Sequence, residues 1–343
     1  MSELLLGIES SCDETAAAVV RGGRTILSSV VHSQASLHAA HGGVVPEIAG
    51  RSHLEQILPV IDAALAQAGV DLDAIEAVAV TSRPGLIGSL LVGVSAAKTL
   101  AWARGIPLVG VHHIEAHVYA ATMEQEDDRR SGEDYPCLAL VVSGGHSALY
   151  RATSEIRIEF LGGTLDDAAG EAFDKVAHLL GLPYPGGPAV SKLAESGNPR
   201  AIRFPRYRSD DGAPAFSFSG IKTAVLYHVR GQDALAPTPA PESIPDRADV
   251  AASFEAAVVD VLVEESLRAA EREGLPTVLV AGGVACNRRL RQVMRSRAEE
   301  RGIRVRFPSP AYCTDNAAMI AGLGFHLLRA GRTATLELDA SPR

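Results

Sequence analysis

Two histidines, His113 and His117, lie four residues apart in the stretch HHIEAH, which leads into an apolar segment with helical character. At this spacing both imidazoles lie on one face of a helix, one turn apart, and can bind a single metal ion. Asp315, just before the last predicted helix, could supply a third ligand, and such a set leaves open positions for substrate or water. The alternatives are two surface histidines and a helix cap at Asp315.

The histidine pair has the spacing of zinc peptidases without their general base. Those enzymes carry a glutamate directly after the first histidine, about 100° round the helix. Here Glu115 follows His113 by two residues, roughly 200° round the helix, and points away from the metal-binding face. The sequence therefore argues against peptidase chemistry.

A pair of acidic residues, Asp13 and Glu14, lies at the end of the polar turn that follows the first predicted strand. Two carboxyl groups in such a turn suit acid–base work or the support of metal ligands. The alternative is a turn with solvated side chains. The sequence alone does not separate these two interpretations.

Glycine-rich turns end two predicted strands, as SGGHS at 143–147 and as AGGVACN at 281–287. Backbone N–H groups in such turns can bind an anion, because no side chain blocks the approach. An ordinary hairpin and an N-cap at Asn287 are the alternatives. Asp174, in the helix after the first turn, could reach a ribose hydroxyl or lie in solvent beside Lys175. The turn PGGP at 185–188 is rigid in either case.

Composition indicates an ordinary globular protein of 343 residues, enough for two domains, with 47% hydrophobic and 21% charged residues. No apolar run predicts a membrane span or a signal peptide, so we expect a cytosolic (cytoplasmic) protein. Four scattered cysteines argue against a disulfide framework. The net charge of −9 argues against general nucleic-acid coating. Arginine clusters at 200–208 and 288–297 fit either nucleic acid or a solvated surface.

The predicted elements run twice in one order: three strands, helix, strand, helix, strand, helix. The first copy starts at Leu4–Glu9 and the second at Leu138–Val142. This order is typical of the duplicated ribonuclease-H-like α/β fold of actin-like ATPases and sugar kinases, in which nucleotide binds in the cleft between copies. We expect one domain at 1–134 plus 317–343 and another at 135–316, with an irregular insertion at about 182–245. Its Ala/Pro-rich part, Gly231–Ser243, is predicted to be a mobile loop.

Ten short motifs along nearly the whole chain jointly resemble one family. It is the bacterial form of the universal tRNA threonylcarbamoyl-adenosine transferases, once labelled O-sialoglycoprotein endopeptidases. The motifs are GIESSCDET at 7–15, HGGVVPE at 41–47, PGL at 84–86, HHIEAH at 112–117, VSGGH at 142–146, GEAFDK at 170–175, YPGGP at 184–188, FSFSG at 216–220, AGGV at 281–284 with Asn287, and TDN at 314–316. Each is weak alone, but the ordered set is specific.

The resemblance implies transfer of the threonylcarbamoyl group from threonylcarbamoyl-AMP to N6 of the adenosine just 3′ of the anticodon, in tRNAs that read codons beginning with A. It implies one divalent metal per subunit, Fe²⁺ favoured and Zn²⁺ the alternative, on His113, His117 and Asp315. The residues that would hold the adenylate are Val141, Val142, Ser143, Gly144, Gly145, Asp174, Gly187, Ser191 and Asn287. Ser191 stands where many relatives carry an acidic residue.

Asp13 and Glu14 are the expected catalytic pair, ordering water or helping the attacking amine to lose its proton. Since the chain is acidic, we expect partners to help with the tRNA anticodon loop. The family works with an inactive paralogous subunit, a small ATPase subunit and a synthase that makes the adenylate. Two other functions stay open: a small-molecule kinase of the same fold, and a non-catalytic nucleotide-binding module with a structural metal.

Overall fold

The computed structural model describes residues 3–123, 134–209, 213–231, 239–244 and 246–343, which form two compact units. The first contains the described residues of Met1–Ser131, Ser154–Ile158 and Pro308–Arg343, and the second those of Gly132–Thr153 and Glu159–Phe307. The sequence prediction begins the return to the first domain at residue 317, whereas the structure begins it at Pro308. This difference places Asp315 in the same unit as the two histidines.

The first unit is built on one five-stranded sheet. Its strands are β1 (Leu4–Glu9), β2 (Glu14–Arg21), β3 (Thr25–Ser33), β4 (Ala77–Arg83) and β5 (Leu108–His112). Their order is β3-β2-β1-β4-β5, with β1 antiparallel to β2 and parallel to β4. The helices of this unit are α1 (Ala35–Ala39), α2 (Pro46–Ala68), α3 (Ile87–Arg104), α4 (His113–Met123) and α10 (Ala317–Arg329).

Both faces of this first sheet are covered, which explains the apolar runs of its central strands β2, β1 and β4. Successive side chains of a strand point to opposite faces. Leu5 of β1 therefore lies in a core with residues of α4 and α10, whereas Leu6 and Ile8 lie in a core with residues of α2 and α3. Gly7 of β1 lets the backbone of α10 approach the strand closely, because a Cβ at this position would collide with the carbonyl oxygen of Ala317. This contact fixes the start of α10, just after Asp315.

The second unit repeats the arrangement of the first. Its strands are β6 (Cys137–Val142), β7 (Ser147–Ser154), β8 (Arg157–Gly163), β9 (Thr277–Ala281) and β10 (Arg304–Arg306). Their order, β10-β9-β6-β7-β8, is that of the first sheet with β6 in the place of β1. The helices are α5 (Ala169–Leu179), α6 (Gly186–Ala194), α7 (Ser219–Arg230), α8 (Arg247–Glu273) and α9 (Arg288–Glu299). The predicted duplication is confirmed.

The predicted insertion at about 182–245 is less irregular than its composition suggests, because it contains α6 and α7. Asp166, outside the insertion, accepts hydrogen bonds from the backbone N–H groups of Phe218 (2.8 Å) and Ser219 (3.2 Å) at the start of α7. Such a distant partner cannot be read from local sequence. Most of the predicted loop Gly231–Ser243 falls on residues 232–238, outside the described part of the chain. None of the described helices is both long and apolar enough to cross a membrane.

Candidate functional site

His113 and His117 lie in the first turns of α4, which follows β5 directly, and both are buried. Nε2 of His117 lies 3.0 Å from Oδ1 of Asp315, and Nε2 of His113 lies 3.5 Å from the same oxygen. One ligand atom from each of the three residues lies within 4.8 Å of the other two. The helix cap is Asn316, which accepts from the backbone N–H of Met319 at 3.0 Å. The structure therefore favours a cluster over surface histidines and a capping aspartate.

The donor set of this cluster fits a divalent transition metal. Two imidazoles and one carboxylate suit Zn²⁺ or Fe²⁺, and three protein ligands leave positions open for a substrate. Glu115, the acidic residue between the two histidines of α4, is not part of the cluster. The structure thus agrees with the helical-phase argument against a peptidase.

Glu9, a residue that sequence analysis missed, supports His113 from the end of β1. Its Oε2 lies 3.0 Å from Nδ1 of His113 and accepts from Oγ1 of Thr81 at 2.7 Å, while Oε1 accepts from the N–H of Ser11 at 2.5 Å. A carboxylate at Nδ1 keeps the proton on that nitrogen and leaves Nε2 free to bind a metal. Glu9 is the only acidic residue of an apolar strand, which is the signal that could have found it.

The charges of the cluster reinforce one another. Burial opposes ionisation of Glu9, but His113 outweighs it and holds the pKa of that carboxyl below its usual value. Burial likewise opposes protonation of His113, but Asp315 and Glu9 outweigh it and raise the pKa of the imidazole to about 9. A cation is therefore favoured among these groups, whether it is a proton or a metal ion.

We expect Glu9→Gln to weaken metal binding at the histidine cluster by about 10-fold, since loss of a supporting carboxylate typically costs 10–100-fold in affinity. The measurement is chelator competition on the purified chain. Glu76→Gln, at an exposed position of the same unit, is the matched control. An unchanged metal affinity in Glu9→Gln would contradict the role given to Glu9.

Asp13 ends the turn between β1 and β2, and Glu14 is the first residue of β2. His53 of α2 anchors this turn. Nε2 of His53 donates to the carbonyl of Cys12 at 2.9 Å, and its Nδ1 lies 2.7 Å from Oγ1 of Thr15. Burial, with the charges of Asp315 and Asp13, raises the pKa of Glu14 to about 9. Glu14 therefore carries a proton at neutral pH in the metal-free chain. Burial also raises the pKa of the Cys12 thiol, so that thiol is not a nucleophile.

The raised pKa of Glu14 predicts a pH dependence of stability for the metal-free chain. Between pH 4.5, the ordinary pKa of a glutamate carboxyl, and about pH 9, the raised pKa of Glu14, this group binds more protons in the folded state than in the unfolded state. The free energy of unfolding should therefore fall as pH rises through this range, by at most about 1.4 kcal/mol per pH unit from this group. Glu14→Gln should flatten the fall. Urea unfolding at pH 5 to 8 checks this, with exposed Glu55→Gln as the control; parallel pH profiles for both variants would refute it.

The glycine-rich turn of the second unit joins β6 to β7 and packs on the start of α5. The carbonyls of Ser143 and Gly144 accept from the N–H groups of Gly170 (3.2 Å) and Glu171 (3.1 Å). A Cβ on Gly170 would lie 2.6 Å from the Ser143 carbonyl oxygen, so glycine is needed there. Gly144 and Gly145 are exposed, and within the described chain no protein acceptor takes their N–H groups. Two open amides at the end of a strand suit an anion.

The other predicted adenylate-binding residues of this unit lie at the end of β6, near the start of α6 and at the start of α9. Val141 and Val142 are buried at the end of β6 and place the turn. Asp174 accepts from the N–H of Gly186 at 2.7 Å, so it holds the start of α6, where Gly187 follows.

Asn287 lies at the start of α9. It caps α9, accepting from the N–H of Leu290 at 2.8 Å, and donates to Oγ of Ser191 at 3.0 Å. It also donates to Glu255 of α8 at 2.7 Å, a buried carboxylate that sequence analysis missed.

Several arginines of the two basic clusters are paired with acids of α8. Arg206 and Arg297 both bind Asp260, each at 2.8 Å. Arg291 and Arg295 lie over the ring of Phe307. These contacts favour a solvated, ion-paired surface over a nucleic-acid surface for these arginines.

Comparison with known proteins gives a consistent result. The sequence profile of the tRNA N6-adenosine threonylcarbamoyltransferases matches residues 25–322. Proteins of that name from Symbiobacterium thermophilum and Geobacter sulfurreducens are 55% and 58% identical, over 99% and 98% of this chain and 96% and 95% of their own lengths. A solved structure of full-length HypF in its phosphate- and nucleotide-bound form has a TM-score of 0.61 at 14% identity, covering 97% of this chain and 47% of HypF. The HypF likeness confirms the actin-like ATPase type of fold.

Proposed function

The chain belongs to the tRNA N6-adenosine threonylcarbamoyltransferase family, so it is a transferase that modifies tRNA, and from that premise we propose its substrates and its site. The donor is threonylcarbamoyl-AMP. The acceptor is N6 of the adenosine just 3′ of the anticodon, in tRNAs that read codons beginning with A. N6 attacks the carbamoyl carbon, the new C–N bond forms, and the mixed-anhydride C–O bond breaks as AMP leaves.

The observation that carries this proposal is the cluster of His113, His117 and Asp315, because a simple nucleotide-binding module needs no such donor set. These residues would hold one divalent metal, Fe²⁺ in preference to Zn²⁺. When bound, the metal would supply Lewis-acid polarisation of the carbamoyl carbonyl. Glu9 would keep His113 in the tautomer that leaves Nε2 free to bind.

Asp13 and Glu14 are proposed to manage the proton that N6 loses. The charges of Asp13 and Asp315 both act on Glu14, so the acidic turn lies within electrostatic reach of the metal ligands. A metal ion on Asp315 would lower the pKa of Glu14 and let it exchange a proton near neutral pH. The adenine amine is a poor nucleophile, so positioning should supply much of the rate.

The AMP part of the donor is assigned to the second unit. The open N–H groups of Gly144 and Gly145 suit its phosphate. Gly187 and Ser191 lie in α6 and Asn287 caps α9, and both of these helices pack on α8. This arrangement would also suit a kinase of the same fold, which the experiment below separates from the transferase.

We include an inactive paralogous subunit and a small ATPase subunit as partners. A net charge of −9 is poorly suited to binding tRNA unaided. Exposed apolar side chains of α2 and α3 support a protein partner: Leu54 is 67% exposed, Leu58 61%, and Ile87 47%.

The decisive experiment supplies threonylcarbamoyl-AMP and unmodified tRNA to the metal-loaded chain with its partners. We expect modified adenosine, detected by mass spectrometry of the digested tRNA, and one AMP released per modification. The control tRNA carries guanosine in place of the target adenosine. Absence of modified nucleoside with folded, metal-loaded protein would contradict the proposal, and ATP-dependent phosphorylation of a small molecule would support the kinase instead.

A further inference from the structure

We propose that Glu255 binds the ribose diol of the adenylate and that Asn287 is the positioning residue that aims it. This inference rests on the proposed function, because it assumes an adenylate in the second unit. It concerns three side chains from three helices: Ser191 of α6, Glu255 of α8 and Asn287 at the start of α9.

The hydrogen-bond capacity of Asn287 is already used within the protein. Its Oδ1 accepts from the N–H of Leu290 at 2.8 Å, which fixes the orientation of the amide. Its Nδ2 has two protons, and these go to Oε1 of Glu255 at 2.7 Å and Oγ of Ser191 at 3.0 Å. Asn287 therefore has no N–H to give to a ligand unless it abandons one of these partners.

Glu255 is the member of the cluster with unused capacity. Its side chain is buried, with 7% of the residue exposed, and among the described residues no lysine or arginine pairs with it. Oε1 accepts from Asn287, whereas Oε2 has no hydrogen-bond partner in the described part of the chain. A largely buried carboxylate with one oxygen left without a protein donor can accept hydrogen bonds from a ligand.

A vicinal diol matches what the cluster offers. Both hydroxyls of a ribose can donate to one carboxylate, and acidic side chains take this role in dinucleotide-binding folds. Since Oγ of Ser191 accepts from Asn287, its own proton is free to donate to a ribose oxygen. Glu255 would thus supply the carboxylate that residue 191 lacks in this chain.

The cluster lies at the same sheet edge as the glycine-rich turn. β6 and β9 run parallel, and their carboxyl ends lead to Ser143 and Gly282, respectively. A Cβ on Gly282 would collide with the carbonyl of Val142, so the two chain segments touch. Asn287 follows Gly282 by one short turn of 3₁₀ helix. A phosphate at Gly144 and a ribose at Glu255 would therefore be parts of one ligand.

The test measures binding of AMP, 2′,3′-dideoxy-AMP and IMP to the full chain by calorimetry. Wild type should prefer AMP to the dideoxy compound by roughly 10-fold or more, as expected for hydrogen bonds to a charged group. Glu255→Gln should lose most of this preference by weakening AMP alone. Glu265→Gln, another buried glutamate of α8, should keep it. Adding Ser191→Asp to Glu255→Gln should restore it.

Three results would overturn the inference. Equal weakening of AMP and dideoxy-AMP in Glu255→Gln would indicate a merely structural carboxylate. Loss of discrimination between AMP and IMP would assign Glu255 to the base. No adenylate binding by folded wild type would remove the site itself. The proposed function can fail separately, since the expected binding pattern without tRNA modification would sink the transferase and leave the ribose contact standing.

Discussion

His117→Ala should strip the bound metal from the chain and lower threonylcarbamoyl transfer by about 10²–10³-fold, the range for removing a group that stabilises developing charge. His117 is 1% exposed, and its Nε2 lies 3.0 Å from Asp315, so alanine removes one of three ligands without disturbing the surface. Elemental analysis measures the metal, and the tRNA modification assay measures the rate. Asp315→Ala should behave in the same way, because it removes the shared carboxylate.

Two variants separate this effect from general damage. His178→Ala removes an exposed histidine of α5 in the other unit and should change neither metal content nor rate. Circular dichroism on His117→Ala should show a folded chain, since α4 keeps its apolar contacts with α10. Metal retained at the wild-type ratio in both His117→Ala and Asp315→Ala would mean that the cluster is not the metal site.

The parts of the site that lie within one element were predictable from sequence. The four-residue spacing of His113 and His117 already places both rings on one helical face, and the structure puts the ring centroids 4.6 Å apart. The duplicated order of strands and helices also follows from local periodicity. For Asp315 the residues alone left a metal ligand and a helix cap open, because nearly 200 residues separate it from His117, and the family resemblance favoured the ligand.

The supporting residues were missed because their partners are set by packing. Glu9 reaches Thr81 because β1 pairs with β4, and it reaches His113 because β5, which leads into His113, pairs with the other edge of β4. Glu255 lies in a long helix in which several other acids bind surface arginines, and nothing in its local sequence distinguishes it from Asp260. For Glu9 alone a signal was available, because it is an acidic residue at the end of an otherwise apolar strand.

Gly282→Ala should be among the most destabilising single substitutions in the second unit. Gly282 has a φ of +89°, which alanine adopts only with strain, and its new Cβ would collide with the carbonyl of Val142. We expect a loss of about 3 kcal/mol in the free energy of unfolding, from the strain plus overpacking of 1–3 kcal/mol. Because Val142 leads into the glycine-rich turn, adenylate binding should weaken as well. Urea unfolding and calorimetric titration with AMP measure the two effects.

Gly302→Ala separates the two causes of this loss. Gly302 has a φ of +68°, but a Cβ there would meet no heavy atom within 4 Å. It should cost only about 1 kcal/mol, the strain of a left-handed backbone, and leave AMP affinity unchanged. If both variants lose the same free energy of unfolding, the close contact between Gly282 and β6 does not add to the cost of the Gly282→Ala substitution. If Gly282→Ala alone weakens AMP binding, the close approach of these two segments is what holds the glycine-rich turn in its binding geometry.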